Sequence, residues 1–131
     1  MLKVESPLAE EQERLVTVIM DCAFAVHRAL GPGFRERIYE RALCLEMDSR
    51  NLRFECEIPI EVRYREWRIP GQKLDLLVER TVLVEVKAVP KLRPIHTAQV
   101  VSYLKTLNLR VGLLLNCNSV ALKYGLKRIV H

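Results

Sequence analysis

The sequence predicts an α/β fold in which helices flank a central mixed β-sheet. Two segments near the N-terminus have the three- and four-residue apolar spacing that is typical of amphipathic helices. Strand-like segments follow between residues 54 and 89. A third helical segment then precedes a continuous apolar run, which is where a crossover connection between parallel strands belongs.

The composition is that of an ordinary globular protein. Half of the 131 residues are hydrophobic and 28% are charged. This length suits a single domain over residues 1–131, with residues 1–8 expected to form a flexible lead. No apolar run approaches the roughly 18 residues of a membrane span, and the acidic, polar N-terminus does not resemble a signal peptide. We therefore expect a cytoplasmic protein that has no contact with a membrane.

Cysteines and net charge give weaker indications. None of the four cysteines forms a CxxC pair, so zinc-ligand spacing is absent and buried, reduced thiols are expected. The net charge of +5 is compatible with a polyanionic partner. The basic residues are spread thinly, so charge alone does not indicate nucleic acid.

The helices are predicted from apolar periodicity and from their boundaries. The first covers residues 9–30, between Ser6-Pro7 and the sequence GPG, and the second covers about 35–50. A third helix is expected over 95–108, where Val100 and Leu104 belong to the buried side. These helices are expected to cover the sheet.

The strands are predicted from alternation and from apolar runs. Pro59 suggests an edge or a bulge in the first strand, and Pro70-Gly71 predicts a turn after it. A tight turn near Arg80-Thr81 joins the next two strands. The five predicted strands cover residues 54–65, 73–79, 82–89, 110–116 and 125–130.

Besides Glu79 and Arg80 near the predicted turn, three charges interrupt the apolar stretch LDLLVERTVLVEVKAV at residues 74–89. If the turn centres on Arg80, Asp75 lies opposite Glu85, and Lys87 shares the face of Glu85. One interpretation is a half-exposed hairpin whose outer face carries charge. Against it, directly opposed carboxylates destabilise a strand pair, and the third helix must cover one face of this sheet.

A divalent metal ion would remove this conflict. Mg²⁺ prefers oxygen ligands, which the carboxylates of Asp75 and Glu85 and the main-chain carbonyl of Val86 can supply. Lys87 could orient an attacking water and stabilise charge that develops on a phosphate. We therefore predict a catalytic site for Mg²⁺ or Mn²⁺, in which the ion activates water and polarises the phosphate.

The pattern of Asp75 on one strand and Glu85-x-Lys87 on the next resembles the core of the PD-(D/E)XK nuclease superfamily. Lys73-Leu74 precedes the aspartate where the superfamily has its proline, which leaves the metal ligand in place. This resemblance implies a restriction-endonuclease-like fold and hydrolysis of phosphodiester bonds in DNA or RNA.

A second resemblance extends over about residues 10–130. The segment GPGFRERIYERAL resembles the defining motif of the GxxExxY protein family, with Gly33, Glu36 and Tyr39 in register. Five further segments resemble that family in the same order: AVHRALGPG, LDLLVE, VLVEVKAV, HTAQVVSYLK and VGLLLN. The family is generally placed in the same nuclease superfamily.

The resemblance adds a helix carboxylate to the catalytic set. In related nucleases a glutamate on an N-terminal core helix joins the metal site, which implies Glu36 here. Glu40 lies one turn further on the same face and is the alternative. Either residue could instead be a solvated charge, and Glu36 could interact favourably with the helix dipole.

Three residues of the third helix form one polar line: His96, Gln99 and Tyr103. Gln99 and Tyr103 resemble the Q-x-x-x-Y element beside the active site of several superfamily nucleases, which implies that they bind substrate. The alternative is a surface amide and a half-buried aromatic ring. His96 is either part of the site or a capping neighbour. Trp67, at a predicted turn, could stack on a base or serve only in packing.

Two functions are therefore compatible with the sequence. The first is a small nuclease dependent on Mg²⁺. The second is a non-catalytic module that retains the fold and binds nucleic acid or protein, since one fold can host several functions. A homodimer or an unidentified protein partner would suit so small a chain. The sequence leaves open DNA or RNA and endo- or exonucleolytic cleavage.

Overall fold

The computed structural model describes residues 6–131. Of the lead expected over residues 1–8, residues 1–5 lie outside this range. Leu8 is buried in the core, and the Pro7 carbonyl accepts a hydrogen bond from the Arg110 guanidinium. The segment directly before the first helix therefore packs against the rest of the chain.

The sheet is mixed, as the order of elements predicts. Its strand order is β1-β2-β3-β4-β5, with β3 and β4 parallel and the other neighbours antiparallel. Helix α3 forms the crossover that a parallel pair requires. The elements described are α1 (Glu10–Leu30), α2 (Glu36–Ser49), β1 (Phe54–Tyr64), β2 (Trp67–Val78), β3 (Val82–Lys87), α3 (Pro94–Leu107), β4 (Val111–Asn116), a 3₁₀ turn (Leu122–Tyr124) and β5 (Leu126–Val130).

Helices cover both faces of the central strands. Val84 and Leu113 belong to the cluster that packs against α1 and α2, whereas Leu83 and Leu114 pack against Leu104 of α3. Burial on both faces explains why β3 and β4 are almost continuously apolar rather than alternating. It also means that any charge on β3 is largely removed from water.

A buried tyrosine fixes the loop that precedes α2. The hydroxyl of Tyr39 donates a hydrogen bond to the Gly31 carbonyl at 2.6 Å and accepts one from the Phe34 N–H at 3.1 Å. Gly33 has φ 107°, a conformation that favours glycine. Tyr39 thereby sets the point at which α2 begins, which is Glu36.

The turn predicted at Pro70-Gly71 is wrong. The β1–β2 hairpin turns instead at residues 65–66, and β2 continues through Pro70 and Gly71. Gly71 has φ 122°, near a one-residue shift in the register of the two strands. Strand β3 pairs with β2 only from Leu76 onwards. Pro70 therefore lies on a free edge, where a missing N–H costs no sheet hydrogen bond.

The cysteines are free thiols, three of them buried. Cys56 is exposed, which corrects the expectation of four buried thiols, because it lies on the outermost strand.

Across residues 6–131, no helix has both the length and the apolar character needed to cross a membrane.

Candidate active site

Asp75 and Glu85 lie side by side where β2 and β3 separate. The paired positions of these strands end at Leu76 and Val84, and carboxylates take over the hydrogen bonding beyond that point. The Asp75 N–H donates to Glu85 Oε1 at 3.0 Å, and the Val86 N–H donates to Asp75 Oδ2 at 2.9 Å. The two side chains therefore occupy the space between the strand ends.

Burial places both carboxyl groups in an unfavourable setting for charge. Glu85 is 2% exposed, and burial, followed by the neighbouring Asp75 carboxylate, raises the pKa of Glu85 to about 8. Burial also raises the pKa of Asp75. A buried acidic pair of this kind retains a proton near neutral pH until a cation compensates its charge.

Lys87 connects this pair to helix α3. Its Nζ donates a hydrogen bond to Gln99 Oε1 at 2.8 Å and lies 3.9 Å from Glu85 Oε2. Gln99 Nε2 in turn donates to the hydroxyl oxygen of Tyr103 at 3.1 Å. That hydroxyl lies 3.2 Å from Gln72 Oε1, so the chain of contacts returns to β2. The ammonium group is held in one position by these neighbours.

Glu36 approaches the same group from the first turn of α2. Burial raises its pKa, and the positive charge of Lys87 partly opposes that rise. The Asp75 carboxylate raises it further, while the Ala88 main chain lowers it. Glu36 is therefore close enough to interact with both Lys87 and Asp75. The structure thus connects five of the predicted site residues through contacts, namely Asp75, Glu85, Lys87, Gln99 and Tyr103. Glu36 lies within electrostatic range of this set.

A second group of carboxylates shares Asp75. Ligand oxygens of Glu40, Glu57 and Asp75 lie within 4.8 Å of one another. Burial, with Asp75 and Glu57 nearby, raises the pKa of Glu40 to about 8. Glu57 differs because Lys73 Nζ lies 2.9 Å from its Oε2 and lowers its pKa. Glu40, the alternative to Glu36 in the sequence analysis, is therefore also adjacent to Asp75.

The sequence analysis missed Glu57. Its φ is 52°, and it interrupts the β1–β2 pairing between Cys56–Leu76 and Ile58–Leu74. Alternation along β1 gave no reason to separate it from its solvated neighbours. The signal that could have identified it is the hairpin register, which places it level with Asp75. Finding that register requires both the turn at residues 65–66 and the one-residue shift between Ile60 and Val62.

The two histidines near these elements, His27 and His96, each make a hydrogen bond to the main chain. His96 Nδ1 accepts a hydrogen bond from the Arg93 N–H at 2.9 Å and so caps the start of α3. His27 Nε2 lies 2.8 Å from the Ser119 carbonyl oxygen. His96 therefore caps the start of α3, and it also lies near enough to Glu36 to lower the pKa of that carboxyl. His27 joins α1 to the loop after β4.

The donor set suits a hard divalent cation. Carboxylate oxygens are the preferred ligands of Mg²⁺. Oxygens of Glu40, Glu57 and Asp75, which lie within 4.8 Å of one another, are donors of this kind. A cation would also compensate the buried charge of Asp75 and Glu85. The residues present therefore fit a divalent metal ion.

A model of the PD-(D/E)XK nuclease superfamily matches residues 13–129. The chain belongs to this superfamily, and its mixed sheet flanked by helices is the restriction-endonuclease-like fold expected for it. No curated protein and no solved structure matches the chain.

Superfamily membership identifies the class of chemistry. These proteins are nucleases that act on nucleic acid and generally use divalent metal ions, and the acidic groups described here are of the corresponding kind. The subfamily, the substrate and the metal are finer questions, which the next section addresses.

Proposed function

We propose that this protein hydrolyses phosphodiester bonds of DNA or RNA in a reaction that requires Mg²⁺ or Mn²⁺. The observation that carries the proposal is the contact between Lys87 and the Asp75–Glu85 pair, with Lys87 Nζ 3.9 Å from Glu85 Oε2. A purely structural pair of buried acids would be stable in protonated form and has no need of a fixed ammonium group beside it.

In this proposal Asp75 and Glu85 hold the metal ion, with the main-chain carbonyl of Val86 as a further ligand. When bound, the ion polarises the phosphate and lowers the pKa of a water molecule. Glu36 assists from α2 by accepting a hydrogen bond from the same water or ligand shell. Raised pKa values in the free protein support this assignment, because such shifts concentrate at functional sites.

Lys87 orients the attacking water and stabilises negative charge on the phosphate. Its hydrogen bond to Gln99 keeps the ammonium group aimed at the carboxylates, and Tyr103 restrains the Gln99 amide. A donor held in advance costs little reorganisation during the reaction. Gln99 and Tyr103 are thus proposed to line the substrate site and to position Lys87.

Within the superfamily we assign the chain to the GxxExxY family, because Gly33, Glu36 and Tyr39 match its motif. The loop geometry supports this reading, since Tyr39 fixes the start of the helix that presents Glu36. We further propose that the chain acts as one domain in the cytoplasm, where its free thiols stay reduced.

The test is cleavage of labelled single- and double-stranded DNA and RNA in Mg²⁺, in Mn²⁺ and in EDTA, with Lys87→Ala alongside. We expect cleavage that needs metal and is lost in Lys87→Ala. Lys105→Ala is the matched control, because Lys105 is an exposed lysine in the last turn of α3. Cleavage that persists in Lys87→Ala would contradict the proposal. Binding without cleavage in all four substrates would favour the non-catalytic module.

A further inference from the structure

The β1–β2 hairpin extends beyond the body of the protein. Every residue from 61 to 73, here called the arm, is exposed. Strand β3 pairs with β2 only from Leu76, so the arm has no third strand beside it. A two-stranded hairpin on its own is marginally stable in water. Neither sheet pairing with a third strand nor burial in the core therefore accounts for the arm.

One face of the arm is apolar and aromatic. Val62 is paired with Ile69, and Tyr64 with Trp67, so all four side chains share this face. The Tyr64 and Trp67 rings are stacked, with centroids 6.3 Å apart and planes 22° apart. Each of these two residues remains 54% exposed. Such rings offer flat surfaces on which unpaired bases stack.

The opposite face carries opposed positive charges. Arg63 and Arg68 are directly paired across the two strands, and like charges in that position destabilise a hairpin. A third guanidinium, that of Arg65, lies against the aromatic face instead, 5.3 Å from the Tyr64 ring centroid. Opposed arginines become favourable when phosphates lie between or beside them. A second copy of this chain would only add more positive charge to the same place.

The arm projects outward beyond the end of the sheet at which the candidate site lies. Because β2 and β3 are antiparallel, the chain before Asp75 continues past the end of β3 where Lys87 lies. Eight residues separate Asp75 from Trp67, which at about 3.3 Å per residue corresponds to about 25 Å. At about 3.4 Å per nucleotide of one stacked strand, this distance spans about seven nucleotides.

We propose that the arm binds an unpaired stretch of the same nucleic acid that the site cleaves. Bases stack on Tyr64 and Trp67, and phosphates contact Arg63 and Arg68, about seven nucleotides from the scissile bond. The inference rests on the proposed function, but binding through the arm is measurable without metal or cleavage.

Trp67 is the single tryptophan of the chain, so its fluorescence reports on the arm alone. In EDTA, a single-stranded 15-mer is expected to quench this fluorescence, whereas a blunt duplex and a trinucleotide are not. Anisotropy of a labelled 15-mer measures total binding in parallel. If anisotropy shows that the 15-mer binds but Trp67 fluorescence is not quenched, the inference is overturned and the proposed function still stands.

Variants test the aromatic and the basic face separately. Trp67→Ala is expected to weaken 15-mer binding about 5- to 150-fold, since one stacked base contributes about 1–3 kcal/mol. Trp67→Phe should recover most of this loss. Arg63→Ser/Arg68→Ser should reduce the slope of log K against log salt by about 1.4, at about 0.7 per contact. Arg53→Ser/Arg80→Ser removes the same charge from exposed positions at the other end of the sheet and is the control.

Two further results would overturn the inference. One is Trp67→Ala protein, folded by circular dichroism, that binds the 15-mer as tightly as the unaltered chain. The other is Trp67→Ala converting a dimer to a monomer in sedimentation with no change in 15-mer affinity, which would make the arm a contact between two copies of this chain.

Discussion

Lys87 Nζ and Gln99 Oε1 are 2.8 Å apart, and this hydrogen bond joins β3 to α3 at the candidate site. The lysine has its charge beside the buried Glu85 and the half-buried Asp75, and the glutamine determines the direction in which the ammonium group points. Lys87 is thus the residue proposed to act in the reaction, and Gln99 is the residue proposed to hold it in place.

Gln99→Ala is expected to lower kcat by about 10- to 100-fold, the usual cost of removing such a supporting contact, with little change in metal affinity. The reason is that Lys87 keeps its charge but loses its fixed direction. Single-turnover cleavage combined with a metal titration checks both quantities. Ser102→Ala, at an exposed position one turn later on α3, is the control. A metal affinity that falls as steeply as kcat would contradict this positioning role.

Glu85 predicts a pH dependence of stability. Its pKa rises from 4.5 to about 8 in the folded protein because of burial, so between these values the folded state binds a proton that the unfolded state does not. Stability contributed by this group is complete below pH 4.5 and is lost as pH rises through about 8, by an amount on the order of a few kcal/mol. The metal-free protein should therefore lose stability relative to Glu85→Gln over that range.

Urea unfolding in EDTA at pH 5 and at pH 9 measures this difference. Glu11→Gln, at an exposed position of α1, controls for the loss of one carboxylate. If the free energy of unfolding changes equally between the two pH values in the unaltered chain and in Glu85→Gln, Glu85 does not hold its proton in the folded state.

Metal binding should appear as thermal stabilisation. A ligand that binds only the folded state at 100 times its Kd stabilises it by about 2.7 kcal/mol, so Mg²⁺ or Mn²⁺ should raise Tm. Asp75→Asn should abolish this increase, because Asp75 belongs to both carboxylate groups. Asp48→Asn, an exposed position at the end of α2, should retain it. An unchanged metal response in Asp75→Asn would exclude both groups as the binding site.

Gly112 links the packing of the sheet to the site. A Cβ at this position would lie 2.8 Å from Val100 Cγ1 on α3, next to Gln99. Gly112→Ala should therefore cost about 1–3 kcal/mol of stability and reduce cleavage by displacing α3. Adding Val100→Ala should restore part of both losses, which a double-mutant cycle measures. Fully additive effects would show that α3 does not move.

The site register was predictable because it depends on local chain geometry. A turn centred on Arg80 places Asp75 level with Glu85, and the structure pairs Val78 with Val82 in agreement with that centre. The burial of both faces of β3 also follows from the need of a parallel pair for a helical crossover.

Glu57 could not be predicted, because its position depends on pairing between strands rather than on local chain geometry. Its place beside Asp75 depends on the β1–β2 register, and Pro70-Gly71 suggested a turn five residues too late. Proline and glycine mark turns in most sequences, but here they lie in a strand with a free edge. The Lys87–Gln99 contact could not be predicted either, because it depends on the directions of side chains on two different elements rather than on residue spacing along one element.

The most direct test of the central claim is the position of a bound ion in a crystal grown with Mn²⁺, located by anomalous scattering. The account predicts an ion with both Asp75 and Glu85 oxygens at about 2.1 Å and the Lys87 ammonium group nearby. An ion held by Glu40 and Glu57 alone, with Glu85 Oε1 still accepting its hydrogen bond from the Asp75 N–H, would contradict it.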